Sequence, residues 1–380
     1  MVLPWNEESV MCQRQRLIEQ LLLPDVNVSE ICKTFKISRK TAYKWLSRYY
    51  EGGLSSLSNQ SKEPRIQPNR LSGDLEERIV MLHHEHPYWG PRKLRDYLLH
   101  VQEMADVPSH TTFARVLKRH DCEVIKNNKS KPARIRFERE QPNDLWQMDF
   151  KGSFVTESKR CYPLTILDDC SRFSISLTAC ENETSKVVKG HLTTIFMEFG
   201  LPNQINVDNG NPWGSADLTS YTSLQIWLMK LGIKITHSAP FHPQTNGKDE
   251  RFHRTLKLEV LHQRSYKSNE IQGVFNAWKH KYNYERPHEA LGGKTPSHVY
   301  RVSSKQFSEK PIAFEYEEGV VKKIHPTEGT FRFRGEMFKA GKGFNGEYVA
   351  IKETDKSDEF AVFFMDNFIK KVKLGYKAVQ

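Results

Sequence analysis

From about residue 145 the apolar pattern runs through three strand-like segments in succession, Leu145 to Phe150, 161 to 168 and 173 to 179, and only then alternates strands with helices. That order suits an α/β layer built on a mixed sheet. Asp169-Cys170-Ser171-Arg172 supplies turn chemistry for a hairpin between the second and third runs. A helical stretch from about Thr184 to Phe199 is closed by Gly200 and Pro202. The strand 204–208 then carries Asp208 at its carboxyl end and runs into Asn209-Gly210. A further helix, about 219 to 231, leads through Gly232 to a strand, Ile233 to Thr236, then the loop HSAPFHPQTNG at 237–247 and a helix bearing Glu250.

At 380 residues the chain is too long for one ordinary core, which predicts a multidomain α+β protein. The 57 lysines and arginines against 46 acidic residues give a formal charge of +11, a balance that favours polyanionic partners. No apolar stretch approaches the roughly 20 residues that span a bilayer, so the expectation is an intracellular, soluble, cytoplasmic chain with no membrane partner. Six cysteines without a C-x-x-C pair read as reduced packing residues.

Ahead of the sheet lie two helical groups. Leu17, Ile18, Leu21 and Leu22 form one pattern that stops at Pro24, and a second begins near Ser29. Ser38 caps a third, whose apolar side is Ala42, Trp45, Leu46 and Tyr49. Its opposite face, with Arg39, Lys40, Tyr43, Lys44 and Arg48, is what a helix-turn-helix lays in the major groove; an ordinary helical hairpin with a solvated face is the plainer alternative. Residues 73–120 repeat the theme, with Pro91 and Ser109 at helix starts and Arg115, Lys118 and Arg119 on the last helix. His83, His84, His86, His100 and Cys122 match no zinc spacing and read as solvated or capping residues. A linker at 123–143 carries Lys126, Lys129, Lys131, Arg134, Arg136 and Arg139. Beyond 312, strand-like runs at Gly319 to Ile324, Thr330 to Phe333, Glu347 to Ile351 and Phe360 to Phe364 predict a small basic β-barrel.

The segments LWQMDF, INVDNG and HPQTNGKDERFHRTLK, in that order, resemble the three acidic motifs of DDE-type transposases with a retroviral-integrase-like core. YNYERPHEALGGKTP at 282–296 is similar to the segment that closes this core in bacterial insertion-sequence transposases, and with the N-terminal helical units the resemblance is nearest to the insertion-sequence family numbered 481. It covers roughly residues 141–300. It implies a ribonuclease-H-like core and assigns Asp149, Asp208 and Glu250 as catalytic carboxylates and metal ligands, holding two Mg²⁺ (or Mn²⁺) ions per site. The interval of 41 residues from Asp208 to Glu250 exceeds the family's usual second spacing, and the extra length falls around NPWGSADLTSYTS. Asp249 and Glu250 lie about 100° apart around a helix, so they do not point into one site together. His253, Arg254 and Lys257 share the Glu250 face as a stripe for DNA.

The implied organisation is a first helix-turn-helix at 1–51, a linker at 52–70, a second helix-turn-helix at 71–122, a basic linker at 123–143, the ribonuclease-H-like core at 144–300 and a small SH3-like β-barrel at 312–380. The implied activity is binding of the terminal inverted repeats of an insertion sequence, metal-dependent 3′-end cleavage and strand transfer into target DNA. Double-stranded DNA, as transposon ends and target, is the partner, organising a homodimer or higher oligomer. A DNA-binding regulator with an inert core is the main alternative, and intact Asp149, Asp208 and Glu250 argue against it. A nuclease without end preference would not need two DNA-reading units.

Overall fold

The computed structural model describes residues 10–59, 71–123, 138–208, 210, 212–214, 221–237, 247–309 and 314–375. Lys126, Lys129, Lys131, Arg134 and Arg136 of the basic linker, and most of the loop at 237–247, lie outside them. The chain divides into two compact units, Met1–Leu71 and Ser72–Gln380.

In the first unit three helices, α1 (Val10–Leu21), α2 (Val28–Thr34) and α3 (Arg39–Gly52), bury Leu17, Ile18, Cys32 and Ala42 together with Leu57. Their starts follow the capping chemistry of the sequence. Asn27 accepts from the Ser29 N–H at 3.0 Å, and Ser38 Oγ accepts from the Thr41 N–H at 3.1 Å. Trp45 lies between two guanidinium groups, Arg14 at 3.9 Å and Arg48 at 4.8 Å from the ring centre. Arg14 is itself held by the Leu57 carbonyl at 2.7 Å, so the cation, the ring and the turn after α3 lock one another.

The second unit begins with α4 (Gly73–Glu85), α5 (Pro91–His100) and α6 (His110–Arg119), which bury Ile79, Leu82, Leu94, Leu98, Phe113, Val116 and Leu117. Of the histidines read as solvated or capping, two are interior. His83 is buried, and His86, also buried, ends α4 and stacks on Trp89 with ring centres 3.7 Å apart, because an apolar helix junction takes up an uncharged imidazole as a flat ring.

The core sheet is built from β1 (Trp146–Phe150), β2 (Phe154–Val155), β3 (Arg160–Asp168), β4 (Ser174–Cys180), β5 (Gln204–Val207) and β6 (Lys234–His237). β1 pairs antiparallel with β3 and parallel with β5; β4 flanks β3, and β6 runs parallel beside β5. β2 continues beside β3 beyond the end of β1. The mixed sheet anticipated from the strand order is therefore present. Helices α7 (Ser185–Phe199) and α8 (Ser223–Lys230) cover one face over Trp146, Met148, Leu164, Ile166, Ile205 and Val207. On the other face, α9 (Gly247–Leu256) and α10 (Ile271–His280) enclose Leu167, Leu177, Phe252, Leu256, Phe275 and Trp278. α7 stops at Gly200, whose φ of 72° suits glycine and whose neighbours, the carbonyls of Ser303 and Lys305, leave no room for a Cβ. A short α11 (Pro296–Val299) follows the closing segment.

The C-terminal strands β7 (Val320–Lys323), β10 (Tyr348–Glu353), β11 (Glu359–Phe364) and β12 (Asn367–Lys373) form one antiparallel sheet in the order β12-β11-β10-β7. β8 (Thr330–Phe333) and β9 (Glu336–Lys339) form a separate hairpin. The anticipated barrel is not seen in closed form among the described residues. Closure requires edge strands to hydrogen-bond, whereas Phe331 and Phe333 of the hairpin share one apolar cluster with Val349, Ile351, Phe360 and Val362, and no strand pairing among the described residues joins hairpin to sheet.

This apolar cluster also includes Ile226 and Met229, so α8 is buried on both sides, by the core sheet through Leu224 and Leu228 and by the C-terminal strands through Ile226 and Met229. Lys230 Nζ meets Glu347 Oε1 at 2.5 Å across the same junction. Gly343 packs so closely that a Cβ would run into the Tyr221 carbonyl oxygen. Gly343→Ala is expected to cost about 1–3 kcal/mol through this backbone collision. Hydrogen exchange should show the loss as faster exchange in β10 and α8; unchanged protection in both would contradict the junction.

Candidate active site

Trp146 pairs with Ile205 and Gln147 with Asn206 along the parallel β1–β5 ladder. Two residues further, the same register sets Asp149 beside Asp208 at the carboxyl ends of strands about 4.8 Å apart. Because Trp146, Met148, Ile205 and Val207 point to the α7–α8 face, strand alternation turns Asp149 and Asp208 to the opposite face, under α9. Burial pushes the Asp149 carboxyl up to about 7, with the Asp208 charge as the next cause, only partly offset by the Phe150 N–H. Asp208 is half-buried, and its Oδ1 accepts from the Gly210 N–H at 2.9 Å.

Thr165, opposite Asp149 on β3, donates its hydroxyl to the Asp149 carbonyl at 3.0 Å. Thr165 Oγ1 in turn accepts from His253 Nε2 at 2.8 Å, which leaves His253 Nδ1 toward Asp149 Oδ2 at 4.0 Å. Burial, followed by Lys151, lowers the His253 ring to about 4, so it is neutral at pH 7. The ring is turned inward and committed to β1 and β3. Arg254 and Lys257, the other members of the anticipated stripe, are exposed.

α9 puts Asp249 on its buried side with Phe252 and Leu256, and Glu250 on its open side. Asp249 Oδ1 has no hydrogen-bond partner among the described residues. Burial, then Asp149 and Asp169, hold its carboxyl well above the usual carboxylate range. Asp149 and Asp208 are thus brought together and Asp249 lies within their electrostatic reach, while Glu250 is exposed one residue away. Among the described residues no three His, Cys, Asp or Glu side chains are already gathered into a metal-binding cluster.

Asp168 and Asp169, which in sequence lie close enough to be mistaken for ligands, are fully engaged. Asp168 accepts from the Asn143 N–H at 2.7 Å and from the Ser171 N–H at 2.8 Å. Asp169 accepts from Gln147 Nε2 at 2.6 Å and the Arg139 N–H at 2.9 Å, and pairs with Lys248 Nζ at 2.5 Å. Satisfied buried carboxylates of this kind brace the sheet. Sequence reasoning passed over Lys151, Thr165 and Lys248. Lys151 alone had a legible signal, since it stands two residues beyond Asp149 on the same alternation; burial and then Lys257 lower its ammonium below the usual lysine range.

On the helical units, Arg39, Lys40, Tyr43 and Lys44 are exposed on α3 and Arg48 is half-buried against Trp45. Arg115 and Lys118 are exposed on α6, while Arg119 is tied to Glu76 of α4.

The raised Asp149 carboxyl has a sign that can be worked out. Its folded value lies above the ordinary 3.8, so between about pH 4 and 7 the unfolded chain gives up a proton that the folded protein keeps. Any stability from Asp149 is therefore complete below pH 4 and lost as pH rises toward 7. In chelator, Asp149→Asn should match the parent protein at pH 4 and exceed it at pH 8 by about 1–4 kcal/mol. Urea denaturation across that range checks this, and a variant less stable at pH 8 would contradict the burial argument.

Two integrase core domain models match, over residues 139–243 and 231–296, with a helix-turn-helix domain over 13–65 and a homeodomain-like domain over 41–117. The uncharacterized protein of insertion element IS476 from Xanthomonas euvesicatoria is 26% identical, covering 64% of this chain and 69% of that protein. The corresponding protein of insertion element IS407 from Burkholderia multivorans is 24% identical over 69% of this chain and 93% of its own. The transposase for transposon Tn552 from Staphylococcus aureus is 24% identical over 94% of this chain and 82% of its own. With a mixed α/β core preceded by helix-turn-helix domains, the chain carries an integrase core domain and is similar to insertion-sequence transposases.

Proposed function

We propose that the protein binds the terminal inverted repeats of its element and catalyses 3′-end cleavage followed by strand transfer into target DNA. The observation that carries this reading is the in-register pair Asp149 and Asp208 at the carboxyl ends of β1 and β5, with Asp149 held up by burial and by its partner. Two carboxylates that penalise each other's charge are a fitting oxygen-donor set for a divalent cation, which relieves the penalty. We assign Asp149, Asp208 and Glu250 to hold Mg²⁺ or Mn²⁺, two ions per site, in a ribonuclease-H-like core. When bound, such ions stabilise negative charge at the attacking and leaving oxygens of a phosphoryl transfer.

The chain's own groups supply the rest. In cleavage a water oxygen, and in strand transfer a DNA 3′-hydroxyl, bonds to phosphorus in line with the departing 3′-oxygen, so positioning is the protein's principal task. Arg254 and Lys257, exposed on α9, and Lys151 beside Asp149 suit the phosphate backbone at the scissile step. Glu250 stands one turn before His253, whose ring approaches Asp149, and this supports its place as third carboxylate. A second reading gives that place to Asp249, favoured by its electrostatic coupling to Asp149. Arg39, Lys40, Tyr43, Lys44 and Arg48 on α3, with Arg115, Lys118 and Arg119 on α6, are assigned to DNA. Joining paired ends calls for a DNA-organised dimer or higher oligomer.

On labelled DNA carrying the element's end, Asp149→Asn, Asp208→Asn and Glu250→Gln should each reduce Mg²⁺-dependent nicking and strand transfer by at least about 10³-fold while end binding persists. Asp249→Asn should keep measurable activity; the reverse pattern at 249 and 250 would favour the second reading. If none of the variants lowers cleavage, the assignment fails. Lys44→Ala should weaken end binding and make the slope of log affinity against log salt shallower by about one, as for one lost phosphate contact.

A further inference from the structure

β6 ends at His237, whose ring lies on the α8 side of the sheet's carboxyl edge. Its Nδ1 is 2.9 Å from the main-chain oxygen of Asp208, and its Nε2 is 2.9 Å from Gln225 Nε2. The roles at each atom can be deduced. Gln225 Oε1 accepts from the Thr222 N–H at 2.7 Å in the capping box that starts α8. The other end of this amide is therefore NH₂, a donor. His237 Nε2 must then accept, and Nδ1 carries the proton given to the Asp208 carbonyl. One buried amide thus sets both the start of α8 and the tautomer of the imidazole that grips the backbone of Asp208.

We propose that His237 and Gln225 are positioning residues that hold the main chain at Asp208 in place for the reaction, and that the C-terminal sheet steadies them by clamping α8. This rests on the assignment of Asp208 to the site. The clamp is the junction already described, with Ile226 and Met229 in the C-terminal apolar cluster, Tyr221 against Phe344 and Lys230 on Glu347. Asp208 follows the last residue of β5, and among the described residues its side chain accepts from the Gly210 N–H. A donor on its carbonyl limits the rotation that would swing the carboxylate away from Asp149. Outer partners of this kind affect metal affinity or turnover by about 10–100-fold.

The test uses the full chain and His237→Phe, which keeps a flat ring of similar size and removes both hydrogen bonds. Turnover in strand transfer should fall about 10–100-fold with the apparent KM for DNA unchanged, and Mn²⁺ binding followed by electron paramagnetic resonance should weaken by a similar factor. Gln225→Met breaks the same chain from the α8 side and should shift both readouts in the same direction; it stands in if the first variant does not fold. The ¹⁵N imidazole spectrum at pH 7.5 should contain an Nδ1-protonated neutral ring that disappears in His237→Phe. An Nε2-protonated ring, or variants with unchanged turnover and unchanged Mn²⁺ affinity, would overturn the proposal. Retained activity in Asp208→Asn would instead remove the reading of the site on which it rests, while the imidazole spectrum would still decide whether the relay exists.

Discussion

β1 is hydrogen-bonded on both sides, antiparallel to β3 and parallel to β5, and its alternation buries Trp146 and Met148 under α7 and α8. A slip of one residue in either ladder would exchange the faces, sending Trp146 toward α9 and Asp149 into an apolar layer. The apolar layer therefore sets the register, and the register is what brings Asp149 and Asp208 side by side. Helix α9 is bound by the same constraint: Phe252 and Leu256 must face the sheet, which turns Asp249 inward and leaves Glu250 outward.

The core contains two kinds of interior carboxylate, and the difference between them is informative. Asp168 and Asp169 are wholly buried but receive main-chain and side-chain donors on their oxygens, and Lys248 adds a charge partner. Burial without donors would be prohibitive, so these contacts make the two residues braces between the start of β1, the β3–β4 turn and α9. Asp149 lacks such a set and sits beside another carboxylate, an arrangement that costs stability in a protein without ligand. Stored cost of that kind is typical of groups kept for chemistry rather than folding.

Local signals carried much of the fold. Ser38 announced a helix start that the structure reproduces, and Gly200 with Pro202 announced the end of α7. β9 and β12 escaped notice because Glu336–Lys339 and Asn367–Lys373 are partly exposed, with lysines where an apolar alternation would be read. The barrel was expected because strand count and spacing are shared by barrels and by a sheet packed on a hairpin; only edge pairing separates them. Helical spacing placed His253 in a stripe for DNA on the Glu250 face, and in the structure its ring turns inward to Thr165.

Local patterns in the chain set most of the elements, the mixed character of the sheet, the basic helical units and the identity of the acidic residues at strand ends, because capping, alternation and turn chemistry act over a few residues. Tertiary structure alone decided which carboxylates meet, which are satisfied as braces, and which side of α9 faces the sheet. It also decided that α8 would be held between two apolar clusters, with Gln225 and His237 linking it to Asp208. Those outcomes depend on contacts between residues far apart in the chain, where burial and charge are properties of the assembled neighbourhood and no local pattern encodes them.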